Sequence, residues 1–503
     1  MTKANRLLQD PWGVDITPLV PEVYAHYRPL IADAVVFFLQ HLSAPRLAAI
    51  LVEQEALPAD AGVAQRLTTL MFHCPTLHKL GQVVARNQRL DHELRSRLQT
   101  LECMPVATGD EEIRQVIRRE LGDVPAGALR LGSEALAEAS VAVVMPFTCD
   151  SEGSSTPRDG VLKVLKPGIE ESLQEELEIW SGLSRYIDER CEHYQLPPLN
   201  YAESLETIRE LLANEIRLDR EQLHLAQAAD FFAGADKIQI PSLFPFCTPR
   251  ITAMERVYGK KVTDTDQLSD GQCRRLANSV IEALIARPVW APQESALFHA
   301  DPHAGNLVFT EDERLAILDW SLAGYLGKSE RIRVMQIVLA ALTLDGARIA
   351  REIDALAQGP TNETALRAVV DRALGKLYEG ELPGFRWSQT LLDEASLRAG
   401  VRFSSELLLY RKSVLTIEGV VSDISRKCSI DRTLPAAAAR QFFQELAERA
   451  FAPPASRHFG THLSNLDLIS LYWGIPLAAA KFWEHHWESR LAALMGVPEG
   501  DRR

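Results

Sequence analysis

Apolar residues recur at helical spacing over the first 70 positions, as in IADAVVFFLQHL and LAAILVEQ, and the run breaks at Cys74-Pro75. The same period predicts a helix over 76–101 and another over 109–122, with Gly122 as the C-terminal stop of the second. The pattern then changes. SVAVVMPFT (140–148) and VLKVL (161–165) are short, β-branched and apolar, and the turn-rich CDSEGSSTPRDG between them makes the pair a hairpin with a long loop. Helical spacing returns from Ile169 to Phe232, with Glu, Arg and Lys on the polar face. IQIPSLFPF and PRITAMERV are two more strand candidates, and residues 296–327 read as a loop, a strand, a turn of about two to four residues and another strand. Helices fill 329 to about 450, and FAPPA (451–455) separates them from a C-terminal segment. A small sheet followed by a helical mass is an α+β layout.

Composition narrows the classes. The 503 residues, 46% hydrophobic and 24% charged, describe an ordinary globular chain of two or three domains, not a disordered, collagenous or coiled-coil one. With 54 Lys and Arg against 68 Asp and Glu the net charge is −14, which argues against broad electrostatic capture of nucleic acid or of an anionic membrane, a local basic patch aside. Seven scattered cysteines (74, 103, 149, 191, 247, 273 and 428) without a CxxC pair read as reduced intracellular thiols. MTKANRLLQDPWG has no apolar h-region. LISLYWGIPLAAA (468–480) is uncharged, but as a helix it reaches only about 20 Å against about 30 Å of bilayer hydrocarbon, and Pro476 is expected to interrupt it. It reads either as packed core or as a helix lying on a membrane, with Tyr472, Trp473, Trp483 and Trp487 as interfacial aromatics.

The strongest chemical signal is HADPHAGN followed by ILDW. Asp301 and Asn306 are five apart, and Asp319 lies thirteen further on, across two strands. Phosphoryl transfer needs a positioned nucleophile and a metal-bound triphosphate held in line. A loop carboxylate can accept the hydroxyl proton, while an amide oxygen and a second carboxylate can hold Mg²⁺. His299 and His303 flank Asp301 without a further thiolate or carboxylate at zinc-ligand spacing, so they read as backbone-bonding loop histidines. Upstream, Lys163 in VLKVL is placed to neutralise phosphates, with Glu215 and Glu221 as candidate carboxylates to steady it. No GxGxxG precedes Lys163; the small residues of LGSEALAEASVAVV stand there instead.

In this order the pieces resemble the UbiB-type (AarF-like) atypical kinases, from about residue 76 to 430. Lys79-Leu80-Gly81-Gln82 is similar to that family's KxGQ motif, LAEASVAVV to its alanine-rich nucleotide loop, and VLKVLKPG to its strand lysine with a Pro-Gly turn. HADPHAGN and LDW complete the likeness, and LYRKSVLTIEGV (409–420) is similar to a late helix of the domain. The resemblance implies a protein-kinase-like α+β fold divided into an N-terminal helical region (1–75), a KxGQ-type extension (76–125), an N-lobe with inserted helices (126–258), a helical C-lobe (259–450) and a C-terminal amphipathic segment (451–503). It implies Lys79, Gln82, Ala137, Ala139, Ser140, Lys163 and Glu255 at the nucleotide, with Glu215 anchoring Lys163. Asp301 takes the catalytic-loop role, and Asn306 and Asp319 sit on the metal. Implied cofactors are ATP and Mg²⁺. The implied activity is kinase-like or ATPase, linked to isoprenoid quinone (ubiquinone) biosynthesis. The implied partners are a quinone precursor or lipid, with a cytoplasmic protein touching the inner membrane peripherally.

Three features depart from the family pattern. Its acidic E-x-D stands here as Glu215-Ile216-Arg217, and an arginine can neither ligate metal nor accept a proton. Asp319 is followed by Trp320-Ser321 rather than Phe-Gly, and no pair of C-terminal transmembrane helices can be drawn. Only WSLAGYLG separates Asp319 from the next long helix, too little for the activation segment a peptide-phosphorylating kinase uses. Two other readings stay open. HxDxHxGN with LDW also suits an aminoglycoside or choline kinase-like phosphotransferase, and Arg217 with Trp320 also suits a nucleotide-binding pseudokinase scaffold.

Overall fold

The computed structural model describes residues 17–85, 90–102, 108–122, 129–150, 157–196, 209 and 212–494. The expectations placed on the first 16 residues, Cys103, the middle of the 149–160 loop and residues 197–208 lie outside these, as does the end of the C-terminal segment. The chain divides into two compact units, Met1–Ala226 with Pro241–Arg256, and Gln227–Ile240 with Val257–Arg503.

The first unit opens with helices α1 (Arg28–His41), α2 (Ala44–Ala56), α3 (Val63–Phe72), α4 (Pro75–Val84), α5 (His92–Gln99) and α6 (Asp110–Leu121). The single helix expected over 76–101 is two. Asp91 accepts from the Glu93 and Leu94 amides and starts α5 as an N-cap. A mixed-length antiparallel sheet follows in the order β1 (Arg130–Leu131), β3 (Ala142–Cys149), β4 (Arg158–Leu165), β6 (Ile251–Glu255), with β2 (Ala137–Glu138) also on β3. Alternation sets its faces: Val143, Met145, Phe147, Leu162 and Val164 bury against Ile113 and Ile117 of α6. Lys163 is therefore on the other face, in register with Val144 and Thr252. That face is closed by α7 (Ile169–His193) and by the first turn of α8 (Leu218–Phe231), where Val141, Ala142, Leu165, Ile169 and Leu218 form a small core. Ser140, expected inside a strand, sits in the tight turn between β2 and β3, which the Ala139 amide closes on the Ala142 carbonyl at 2.8 Å.

The second unit holds a four-stranded sheet in the order β5 (Ile238–Gln239), β10 (Leu315–Ile317), β9 (Leu307–Thr310), β7 (Gly259–Lys261), and a two-stranded one of β8 (Ser295–His299) and β11 (Ala323–Gly327). Of IQIPSLFPF only β5 forms strand, since Pro241 and Pro245 have no amide to donate to a ladder. Helix α9 (Asp270–Ile281) starts on a Ser269/Gln272 capping box. From Lys328 onward the unit is helical: α10 (Lys328–Leu342), α11 (Gly346–Asp354), α12 (Glu363–Tyr378), α13 (Phe385–Ala399), α14 (Ser405–Ile424), α15 (Ile430–Arg449) and α16 (Asn465–Leu494). Helix α16 runs through Pro476 rather than breaking there. The carbonyl that Pro476 leaves unpaired belongs to Tyr472, on an exposed face where water can bond it. Among the described residues no single helix is long and apolar enough to cross a membrane. The pair Tyr24–His41 and Ala44–Ala56 reaches that length only with a 119° bend, and it contributes Leu30, Phe38, Leu39 and Ile50 to the core.

Each unit buries a histidine in its neutral form. His78 bonds the Leu101 carbonyl at 2.8 Å, and burial pushes its pKa down to about 4; His462 bonds the Val289 carbonyl at 2.7 Å and is pushed to about 4 by burial and then by the Arg331 guanidinium. The unfolded chain takes up these protons near 6.5 and the folded chain only near 4, so stability is full above pH 6.5 and falls as pH drops from 6.5 to 4. Urea unfolding followed across that interval should show the loss, and His78→Gln should make it shallower by about one proton.

Candidate active site

In the first unit, Lys163 projects from the sheet face that carries the small Leu165–Leu218 core. Its Nζ lies 2.9 Å from both carboxylate oxygens of Glu221, with side chains only 11% and 2% exposed. Helix spacing makes this pair: Leu218 anchors the first turn of α8 in the small core, and Glu221, three residues on, lies on the same face. Gln222 holds the turn against β6 by donating to the Thr248 and Ile251 carbonyls at 2.8 and 3.1 Å.

The expected Lys163–Glu215 pair is therefore corrected. Glu215 lies in a turn before α8 begins, and its carboxylate pairs with Lys79 at 2.9 Å instead. The rest of KLGQ works within the N-terminal helices. Gln82 donates to the Leu101 carbonyl at 3.0 Å, and a Cβ on Gly81 would sit 2.7 Å from both Leu101 and Met71, so only glycine lets α4 pack that closely. Arg217, the departure from E-x-D, bonds Asp219 through both Nε and Nη2 at 2.9 and 2.7 Å on the surface. Glu255 ends β6 and accepts from the Ser242 amide and hydroxyl at 3.2 Å.

One tie escaped the sequence reading. Ala137 and Ala139 belong to a hairpin rather than an open loop, and Glu138 between them is buried. It pairs with Lys166 at 2.7 Å and accepts from the Thr108 amide at 2.9 Å. Burial lowers the Lys166 pKa, with Glu138 opposing. The signal was present: Lys166 stands directly before Pro167-Gly168, where Gly168 adopts φ +68° to start α7.

In the second unit, HADPHAGN is a loop from β8 into a 3₁₀ turn and β9. His299 organises it. Its Nδ1 accepts from the Asp301 amide at 3.2 Å and its Nε2 donates to the Leu318 carbonyl at 3.0 Å, which defines one neutral tautomer. Burial lowers its pKa, consistent with that form and with the expected backbone-bonding role. His303 likewise accepts from the Gly305 amide at 3.1 Å. The Asn306 amide nitrogen donates to the Asp301 carbonyl at 3.1 Å, which turns its oxygen the other way, and the Leu318 amide donates to the Asn306 carbonyl at 2.8 Å. The loop and the stretch from β10 to Leu318, directly before Asp319, are thus one hydrogen-bonded unit. Asp319 itself takes φ +53°, a left-handed conformation that carboxylate residues adopt at modest cost and that is common at functional sites. Trp320 is 1% exposed, donates to the Ile317 carbonyl at 3.2 Å and stacks edge-on to His299 at 4.8 Å. The chain then returns at once as β11, paired along β8, and α10 starts at Lys328.

Asn306 and Asp319 carry oxygen atoms of the hard kind that magnesium takes. Among the described residues no group of three or more His, Cys, Asp or Glu could cage a metal by itself, and a nucleotide-bound magnesium needs only one or two protein ligands.

A strand lysine with its helix carboxylate, a catalytic-type loop and a metal-type aspartate define an atypical protein-kinase-like domain. The model of the ABC1 atypical kinase-like domain matches residues 102–353, and the chain belongs to that family. A relative from Haemophilus ducreyi named "Probable protein kinase UbiB" is 24% identical over 435 residues, covering 81% of this chain and 74% of that protein. A namesake from Shewanella baltica is 27% identical over 361 residues, 69% of this chain and 64% of that one. The solved structure titled as the Rv3197–erythromycin complex from Mycobacterium tuberculosis is 15% identical with a TM-score of 0.49, over 80% of this chain and 94% of that one.

The two glutamates separate by stability. Glu221→Ala removes the bidentate partner of a buried lysine and should cost about 3 kcal/mol, whereas Glu215→Ala breaks a part-exposed pair worth about 1 kcal/mol or less. Chemical denaturation of both variants checks the order; equal losses would return Glu215 to the Lys163 role.

Proposed function

We propose that this chain is a Mg-ATP-dependent enzyme of the UbiB type, a kinase or ATPase that supports isoprenoid quinone biosynthesis at a membrane surface. The observation that carries the reading is the hydrogen-bonded loop of Asp301 and Asn306, built around a neutral His299 and tied through Leu318 to the residue before Asp319. Lys163 neutralises phosphate oxygens while Glu221 holds its ammonium in place. Asp301 accepts the proton of an attacking hydroxyl or water, and Asn306 and Asp319 hold the metal. When bound, the metal supplies charge neutralisation at the transferring phosphoryl group. Lys79, Gln82, Ala137, Ala139, Ser140 and Glu255 frame the nucleotide in this reading, the first two through the helices they brace. The immediate pairing of β11 with β8 supports a small acceptor or water over a peptide, because it leaves no activation segment to dock one.

The membrane part rests on α16. Ile469, Tyr472, Trp473, Trp483 and Trp487 fall within about a 100° sector of that helix, and the four aromatics are 68–72% exposed. Such a stripe of Trp and Tyr suits the interface of a bilayer. A quinone precursor or lipid held there is the partner class this placement favours.

ATP hydrolysis measured with Mg²⁺, with and without phospholipid vesicles and a quinone-precursor phenol, tests both parts. Turnover should rise with vesicles, vanish in Asp319→Ala with an unchanged melting temperature, and lose only its vesicle response in Trp483→Ala/Trp487→Ala. Wild-type turnover in Asp319→Ala would overturn the site. Tight nucleotide binding without turnover would shift the assignment to a nucleotide-binding scaffold.

A further inference from the structure

A cleft of about 580 Å³ lies within the second unit, a size typical of small-molecule sites. One wall is the end of α9, where residues 282–286 widen into a π turn and the Arg287 amide bonds the Glu282 carbonyl. The widening has a local cause. Pro288 has no N–H and its ring crowds the carbonyl four residues back, so the backbone opens instead of continuing as an α-helix. Such turns recur at functional positions. Phe231, Trp290 and, from α15, Ala437 and Arg440 line the rest of it, with Arg440 paired to Glu282 at 2.6 Å.

Three observations describe what the cleft would take. Trp290 lines the cleft with part of its ring, while its indole nitrogen is closed off inside the fold. Arg287 lies 5.5 Å from the Phe231 ring and 5.3 Å from the Phe232 ring, and donates through Nε and Nη2 to the Phe231 carbonyl; its Nη1 makes no hydrogen bond among the described residues. The lining carries Lys237, Arg287 and Arg440 against Asp236 and Glu282, a cationic balance in a chain of net charge −14.

We propose that this cleft binds a flat, apolar monoanion of the aryl carboxylate class. Its ring packs against Phe231 and Trp290, and its carboxylate accepts from the Arg287 Nη1. Nothing in this site depends on the nucleotide reading, so its failure and the failure of that reading are separable.

Calorimetric titration of the full chain with 2-naphthoate tests it, with neutral 2-naphthamide as the comparison. Wild type should bind the anion and hold the amide at least about fivefold more weakly, since an ionic hydrogen bond becomes a neutral one. Ala437→Phe fills the cleft and should abolish binding. If that variant does not fold, Arg440→Glu at the surface should weaken the anion and not the amide. Absence of binding to folded wild type at millimolar naphthoate, equal affinity for acid and amide, or affinity unchanged in the folded variants would each overturn the proposal.

Discussion

A lysine ammonium buried in the face of a β-sheet constrains everything around it. Lys163 cannot lie there uncompensated, so a carboxylate has to arrive on a rigid element, and α8 supplies it from one turn past its own anchor, Leu218. The pair is poor evidence of stability, because desolvation consumes most of its attraction. Its effect is geometric. It sets the rotation of α8, which Gln222 then fastens to β6, and it leaves Glu215 before the helix, facing Lys79. A second buried pair, Lys166 with Glu138, pins the alanine-rich hairpin to the strand that carries Lys163. The Lys163 side of this unit is thus positioned by ion pairs, while α6 and the opposite sheet face supply the apolar core.

The second unit reaches the same rigidity with neutral groups. His299 spends one nitrogen on the Asp301 amide and the other on the Leu318 carbonyl, and Trp320 covers its ring. A protonated imidazole could not accept at Nδ1, so the burial that keeps the ring neutral is a condition of the loop's shape. Trp320 has a matching role. As a larger group than the phenylalanine of ordinary kinases it fills the space behind His299, and its indole N–H finds the Ile317 carbonyl.

The sheet-and-helix layout and the loop residues were legible because they rest on short-range rules: alternation in VLKVL, five-residue spacing in HADPHAGN, and turn chemistry before Lys163. The partner of Lys163 was not. Glu215 and Glu221 look equivalent when the whole of LLANEIRLDREQLHLAQ is read as one helix. The choice depends on the helix starting at Leu218, which is decided by burial of that side chain against Leu165 and Val141. Helix ends were the general weakness, as with Asp91 dividing 76–101, because a single cap competes with a long run of compatible spacing. Glu138 was missed for a related reason: an acid among alanines looks like surface until its two distant partners are known.

Helix α16 shows the limit of what packing within the chain explains. Its first turn is held firmly. Ser464 and Asp467 cap each other, and Arg348 and Arg457 reach the same carboxylate; although burial alone would raise it, these partners hold Asp467 well below the usual carboxylate range. Beyond that turn Gly474 lies against Thr343, but the opposite side carries Tyr472, Trp473, Trp483 and Trp487 into solvent. Burying such aromatics elsewhere would recover roughly 25 cal/mol for each Å² of apolar surface covered. An ionic clamp at one end combined with an uncovered aromatic stripe along the rest fixes the direction of the helix without satisfying it. That combination is what a helix requires if its second contact is with an apolar phase outside the chain.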